Sequence, residues 1–162
     1  MNKTTTMLAQ TAVIAAIYVA LTLAFAPISF GIIQFRVSEA LCILPYFTFA
    51  GVPGVAIGCF LGNVLGGAEL PDIIFGTLAT LLGAIGSYQL RKVSKWLVCV
   101  PPIVANTIII PFVLRYAYGA TDIMIPYMMM TVGLGEVLAV GFLGNVLLAA
   151  LEPARQHIFR NA

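Results

Sequence analysis

The chain has 162 residues, of which 61% are hydrophobic and 9% charged, and a formal net charge of +2. A soluble domain is about 25% charged and about 45–50% apolar, so a mean hydropathy of +1.05 excludes an ordinary soluble globule. A membrane helix needs roughly 20 apolar residues, so this length allows at most about six spans with short loops and leaves no room for a soluble catalytic domain.

The first apolar run, residues 7–26, ends in an A-x-A-like stretch, Ala24 to Ala26, that resembles a signal-peptide cleavage site. The run is longer than a usual signal core, its preceding segment holds one lysine, Lys3, and Pro27 follows the supposed cut. A retained first span is therefore expected. Ala12, Ala16 and Ala20 stand four apart on one face of this span. Small residues at that spacing let another helix approach closely, either within this chain or from a partner protein.

Prolines, glycines and the few charges bound the later runs. Span 2 is expected at about 37–50, interrupted by Pro45, and span 3 at about 53–67. The two are short and meet at "AGVPG", which reads as the tight turn of a hairpin. Span 4 is expected at about 72–90, span 5 at about 96–116 and span 6 at about 126–151. The expected fold is an all-α integral membrane protein with six transmembrane helices, a single transmembrane domain over residues 1–162.

Six spans place both termini on one side, and lysine and arginine choose the side. With cytoplasmic termini the inside receives Lys3, Arg91, Lys92, Lys95, Arg155 and Arg160, and the outside only Arg36 and Arg115. Tyr88 and Trp96 then fall at the inner boundary, and Tyr116, Tyr118 and Tyr127 at the outer one. On this topology Glu39, Glu69, Asp72, Asp122 and Glu136 all face the outer half, with Glu152 the exception. Asn63 lies near the outer end of span 3 and Asn106 near the middle of span 5. Polar groups from several helices thus converge on one region.

Glu136 carries the most weight, because "TVGLGEVLAVGFLG" holds no other charge. A charge near the bilayer centre costs about 2.5–3.5 kcal/mol on insertion scales, and such residues line a substrate path or a polar interior. The plainer alternative is a packing glutamate, protonated or paired with Arg36 or Arg115. Asn145, nine residues on, falls on the opposite face of a regular helix and reads as an interhelical hydrogen-bonding group. Asp72, after Pro71, reads as an N-cap or as a site residue. Below it Gly76, Ala79 and Gly83 form a small-residue stripe that suits close packing or a flat ligand. Asn106 must find protein or ligand as a partner. In "IQFRVSEAL", Arg36 and Glu39 are spaced for an exposed ion pair worth about 0–1 kcal/mol, but Gln34, Phe35 and Ser38 beside them suit a loop capping an outward-facing pocket.

Cys42, Cys59 and Cys99 are isolated in apolar runs and read as buried small hydrophobes, with no metal or redox spacing. There is no G-x-x-x-x-G-K-[ST] phosphate loop, and the one histidine, His157, lies in the tail.

The blocks "IQFRVSEALCILP", "GNVLGG", "DIIFGTLATLLGA", "PPIVANTIIIP" and "GEVLAVGFLG" resemble the QueT family, substrate-binding (S) components of energy-coupling-factor transporters associated with queuosine precursors. The likeness covers nearly the whole chain. It implies a six-helix bundle in a prokaryotic plasma membrane that binds a vitamin-like molecule from outside and has no ATPase of its own. It implies docking on a transmembrane T protein with two ATP-binding cassette subunits, through a helix-1 alanine motif matching Ala12, Ala16 and Ala20. The implied ligand is 7-aminomethyl-7-deazaguanine or a related 7-deazaguanine, with no cofactor, metal or nucleic acid. A carboxylate such as Glu136, Glu39 or Asp72 would take its donor-rich edge or ammonium, with Asn106 or Asn63 reading the carbonyl and Arg36 and Glu69 nearby. A different vitamin, a self-contained small carrier and a membrane enzyme or assembly subunit are the competing readings.

Overall fold

The computed structural model describes residues 2–29 and 35–159; Gln34 and Arg160 lie outside them. The described residues are helical, without strands. Helix α1 spans Lys3–Ala24 and is followed by a single turn, α2, Ala26–Ser29. A 3-10 helix, Val37–Tyr46, leads to α3, Gly51–Leu65, and α4, Leu70–Leu90. A short 3-10 turn, Lys95–Leu97, precedes α5, Val100–Tyr116. The last long helix runs as α6, Ile125–Glu136, a π-helical stretch, Val137–Gly144, and α7, Asn145–Leu151, before a final turn, α8, Arg155–Ile158.

Among the described residues, four segments are long and apolar enough to cross a membrane: Lys3–Ala24, Leu70–Leu90, Lys95–Tyr116 and Ile125–Leu151. The expected spans 2 and 3 differ. Ten 3-10 residues at about 2.0 Å rise reach about 20 Å, and the fifteen residues of α3 reach about 22 Å, against a hydrocarbon core of about 30 Å. The 3-10 helix is also buried continuously from Ser38 to Pro45. It is an interior element, and apart from Ser38 and Glu39 its buried residues are apolar.

Helix α3 runs alongside α1 in the same direction. Gly54, Gly58 and Gly62 face Ile14, Tyr18 and Thr22 in turn. A Cβ at Gly54 would stand 2.8 Å from the Ile14 side chain and one at Gly58 2.6 Å from Cβ of Tyr18. The glycines let the two backbones meet closely, as small-xxx-small spacing does in membranes. The core around this seam includes Ile14, Tyr18, Leu41, Ile43, Val55, Val98, Val140 and Leu148.

The two chain ends lie at the same end of the bundle. Gln10 Nε2 donates to the Ile158 carbonyl at 3.4 Å, and Phe159 stacks on Phe47 with ring centroids 5.1 Å apart. Lys95 pairs there with Glu152 at 2.9 Å, and the Arg155 guanidinium lies over the Tyr46 ring.

Of the stripe on α4, Gly83 serves packing. A Cβ there would stand 2.6 Å from Cα of Pro102 on α5, a backbone atom that cannot swing away. Gly83→Ala gains up to about 1 kcal/mol of helix propensity but overpacks this contact at about 1–3 kcal/mol. A net loss of thermal stability in detergent is expected, and a gain would show that α4 and α5 are not held this closely.

Candidate functional site

The buried polar residues form a two-tier cluster between the helices. The first tier lies at the end of the bundle opposite the termini. Pro71 sits at the start of α4 and places Asp72 in its first turn. Arg36 stands at the head of the 3-10 helix. Its Nη2 meets Asp72 Oδ2 at 3.3 Å, with both side chains buried. Its Nε donates to the Ser29 carbonyl at 3.4 Å. The Tyr118 hydroxyl donates to Asp72 Oδ2 at 2.9 Å and accepts the backbone N–H of Glu69 at 3.2 Å. Partial burial, and then the Asp72 carboxylate, push the Tyr118 phenol up to about 12, so it remains a neutral donor. Asn63 Nδ2 reaches the Asp72 carbonyl at 3.3 Å.

The second tier lies deeper, about half-way along α4, α5 and the last helix. Glu39 accepts from the Tyr18 hydroxyl, from Thr80 Oγ1 at 3.2 Å and from Cys42 Sγ at 3.0 Å. The hydroxyls of Thr22 and Ser38 are 2.8 Å apart beside it. Glu136, buried at the junction of α6 and the π-helical stretch, lies against the amide of Asn106 on α5. Oε2 of Glu136 and Nδ2 of Asn106 have no hydrogen-bond partner, nor do Oδ1 of Asp72, Oδ1 of Asn63 and the hydroxyls of Thr77 and Thr107. A buried polar atom left unpaired costs about 1–3 kcal/mol.

The sequence-expected residues fall into place unequally. Arg36, Glu39, Asn63, Asp72, Asn106 and Glu136 are all buried in the cluster. Glu69 is exposed, and only its backbone N–H joins in. Arg36 and Glu39 do not form the exposed pair that their spacing suggests: both are buried, and the ion pair of Arg36 is with Asp72. Arg36 precedes the first helical residue and has extended backbone (φ −91°, ψ 100°), so the helical i,i+3 relation to Glu39 does not hold. Asp72 is not an N-cap, because α4 begins two residues earlier, at Leu70, with Glu69 in the capping position. Arg115 does not pair with Glu136; its Nη1 donates to the Ile123 carbonyl at 3.2 Å. Asn145 Nδ2 bonds within its own helix, to the Gly141 carbonyl at 2.6 Å, rather than across helices. The π-helical stretch before it also shifts the helical phase, so the half-turn offset from Glu136 does not hold. Cys42 and Cys59 are buried but Cys99 is partly exposed.

Ala12, Ala16 and Ala20 face outward. With Leu8, Ile57 and Leu61 they line an apolar groove of about 670 Å³ between α1 and α3. Internal packing is carried instead by Ile14, Ala15, Tyr18 and Thr22.

Sequence alone does not mark Tyr18, Thr22, Cys59, Thr80 or Tyr118 as members of the cluster. Each is uncharged and sits in ordinary membrane or loop sequence. One usable signal is the four-residue glycine spacing Gly54, Gly58, Gly62, which predicts the seam that brings Tyr18 and Thr22 to the polar interior.

The family described as QueT transporter matches residues 8–153. The Queuosine precursor transporter QueT of Lactococcus lactis subsp. cremoris (strain MG1363) is 42% identical over 73 residues. That alignment covers 44% of this chain and 43% of the relative, so the chain spans less than half the length of the curated protein it matches. No solved structure matches the chain.

Proposed function

We propose, because the chain belongs to the QueT transporter family, that it captures a queuosine precursor from outside the cell. The family is one of transporters and not of enzymes. The expected ligand is 7-aminomethyl-7-deazaguanine or a related 7-deazaguanine. In this reading the chain is the S component of an energy-coupling-factor importer, one transmembrane unit in a prokaryotic plasma membrane. A T protein and two ATPase subunits drive release. The 3-10 helix and α3 complete a six-crossing bundle as two short crossings, the first of them interior. Both termini face the cytoplasm, as the lysines and arginines clustered at their end of the bundle favour.

The observation that carries the reading is Glu136, buried against the Asn106 amide deep among apolar helices, with its Oε2 left without a hydrogen-bond partner. An acceptor and a donor side by side suit a heterocycle with N–H groups and ring acceptors. The charge balance favours a cationic amine. Among the described residues, three buried carboxylates, Glu39, Asp72 and Glu136, stand against one buried guanidinium, Arg36. Charges in the membrane interior persist when they are paired, and an ammonium group supplies a partner. Uptake of labelled 7-aminomethyl-7-deazaguanine by cells expressing the chain tests the reading. Uptake is expected only when the T protein and ATPases are co-expressed. Equal uptake without them would make the chain a self-contained carrier.

The outward alanines support the docking surface. Leucine at position 16 fills the groove between α1 and α3 without touching the polar cluster. Ala16→Leu is expected to abolish co-purification with the T protein and leave ligand affinity unchanged. Unchanged co-purification of an Ala12→Leu/Ala16→Leu variant would remove the groove from the interface.

A further inference from the structure

The end of the bundle that holds the termini carries more positive charge than its carboxylates neutralise. Among the described residues Lys3, Arg91, Lys92, Lys95 and Arg155 stand there with one acid, Glu152, which Lys95 holds at 2.9 Å. Lys3, Arg91 and Lys92 form no ion pair among the described residues. Between the first turns of α1 and the turn at 48–50 lies a cavity of about 380 Å³, lined by Lys3, Thr4, Met7, Gln10, Thr48 and Phe49. The Thr48 hydroxyl donates to Gln10 Oε1 at 2.9 Å and ties the two sides together. Phe49, 48% exposed, meets the Tyr88 ring edge-on with centroids 5.1 Å apart. The Arg91 guanidinium lies over that ring, 3.8 Å from its centroid. One cation therefore lines the cavity, and a second is held just beyond its aromatic wall.

We propose that this cavity seats the headgroup of an anionic phospholipid, with Lys3 and Arg91 meeting the phosphate and Met7 and Phe49 meeting the start of the acyl chains. Stacking on Tyr88 fixes the plane of the Arg91 guanidinium, and a guanidinium meets phosphate oxygens through parallel N–H donors. The level in the membrane is right for a headgroup. Trp96, 59% exposed, lies at the same end of the bundle, and tryptophan gathers where a membrane meets water. Lysine and arginine at that depth are drawn to anionic lipids. A free phosphate uses the charges but not the apolar wall, whereas a lipid uses both. The site is separate from the buried polar cluster and does not depend on which ligand the chain transports.

The test is lipid retention by the delipidated full chain in detergent, read by native mass spectrometry. The protein is offered dioleoyl phosphatidylglycerol and dioleoyl phosphatidylcholine in equal amounts. Preferential retention of the phosphatidylglycerol is expected. Lys3→Gln and Arg91→Gln should each weaken that retention about 5-fold, and the double variant roughly 30-fold, while phosphatidylcholine retention stays the same. Lys92→Gln removes an exposed charge that does not line the cavity, and it should leave the preference nearly intact. Inorganic phosphate at the concentration of the lipid should not compete. Equal retention of the two lipids by the wild type overturns the proposal. So does a loss in Lys92→Gln as large as that in Arg91→Gln, which marks diffuse surface attraction. Displacement of the lipid by inorganic phosphate overturns the lipid assignment and makes the cavity a site for the free anion.

Discussion

Glu136→Gln is expected to weaken binding of 7-aminomethyl-7-deazaguanine by about 10- to 150-fold while the protein stays folded. A charge-assisted hydrogen bond contributes about 1.5–3 kcal/mol, which converts to that range. Glutamine preserves the shape, and removing a charge from a membrane helix eases insertion. The position favours this outcome over a packing role. Glu136 is buried, one of its oxygens has no partner, and Arg115, a counter-ion candidate by sequence, is bonded to the Ile123 carbonyl. The π-helical stretch begins at the next residue, and such stretches recur at functional sites. A structural carboxylate predicts the reverse: lower yield and melting temperature, with affinity among folded molecules barely changed. Both quantities are measured on one preparation, so the two outcomes separate cleanly.

Arg36→Met is expected to be the most destabilising single change in the cluster. Arg36 and Asp72 are both buried, at 4% and 0% exposure, and meet at 3.3 Å. Removing one partner of a buried pair leaves an uncompensated charge and costs about 3–5 kcal/mol. Replacing both partners by apolar groups is often neutral or better. The double variant Arg36→Met/Asp72→Leu should therefore recover much of the lost melting temperature while binding stays lost. If the double variant is instead as unstable as the two single losses added together, the pair is not an isolated unit and the outer tier is held some other way. Tyr118 sets the scale of the remaining support. Its hydroxyl reaches the same Asp72 oxygen at 2.9 Å, so part of the Asp72 charge remains solvated by protein in Arg36→Met.

The membrane character and the long helices were legible in the sequence because both follow from local composition and length. Glu136 was legible for the same reason, as one charge in an apolar run. Pairing was not. Arg36 and Asp72 are 36 residues apart in sequence, and nothing in the spacing of either points to the other, whereas the nearer Glu39 offered a misleading partner. Glu39 itself is held by Tyr18, Cys42 and Thr80, residues that read as ordinary membrane sequence until the helices pack. The 3-10 geometry of Val37–Tyr46 escaped because its apolar residues suit an α-helical span equally well, and only its burial on all sides distinguishes it. Asn145 escaped through the π-helical stretch, which breaks the 3.6-residue phase that sequence arguments assume. The outward face of Ala12, Ala16 and Ala20 needed the opposite face, Ile14, Ala15 and Tyr18, to be seen against α3.

The central claim is that this chain by itself holds a 7-deazaguanine in the cluster between Arg36 and Glu136. The most direct measurement is titration of the purified chain in detergent, without T protein or ATPases, against 7-aminomethyl-7-deazaguanine and a panel of vitamins such as riboflavin and biotin. Saturable one-to-one binding of the deazaguanine is expected, with no competition from the vitamins. Saturable binding of a vitamin in its place, or no binding of any ligand by folded protein, would contradict it.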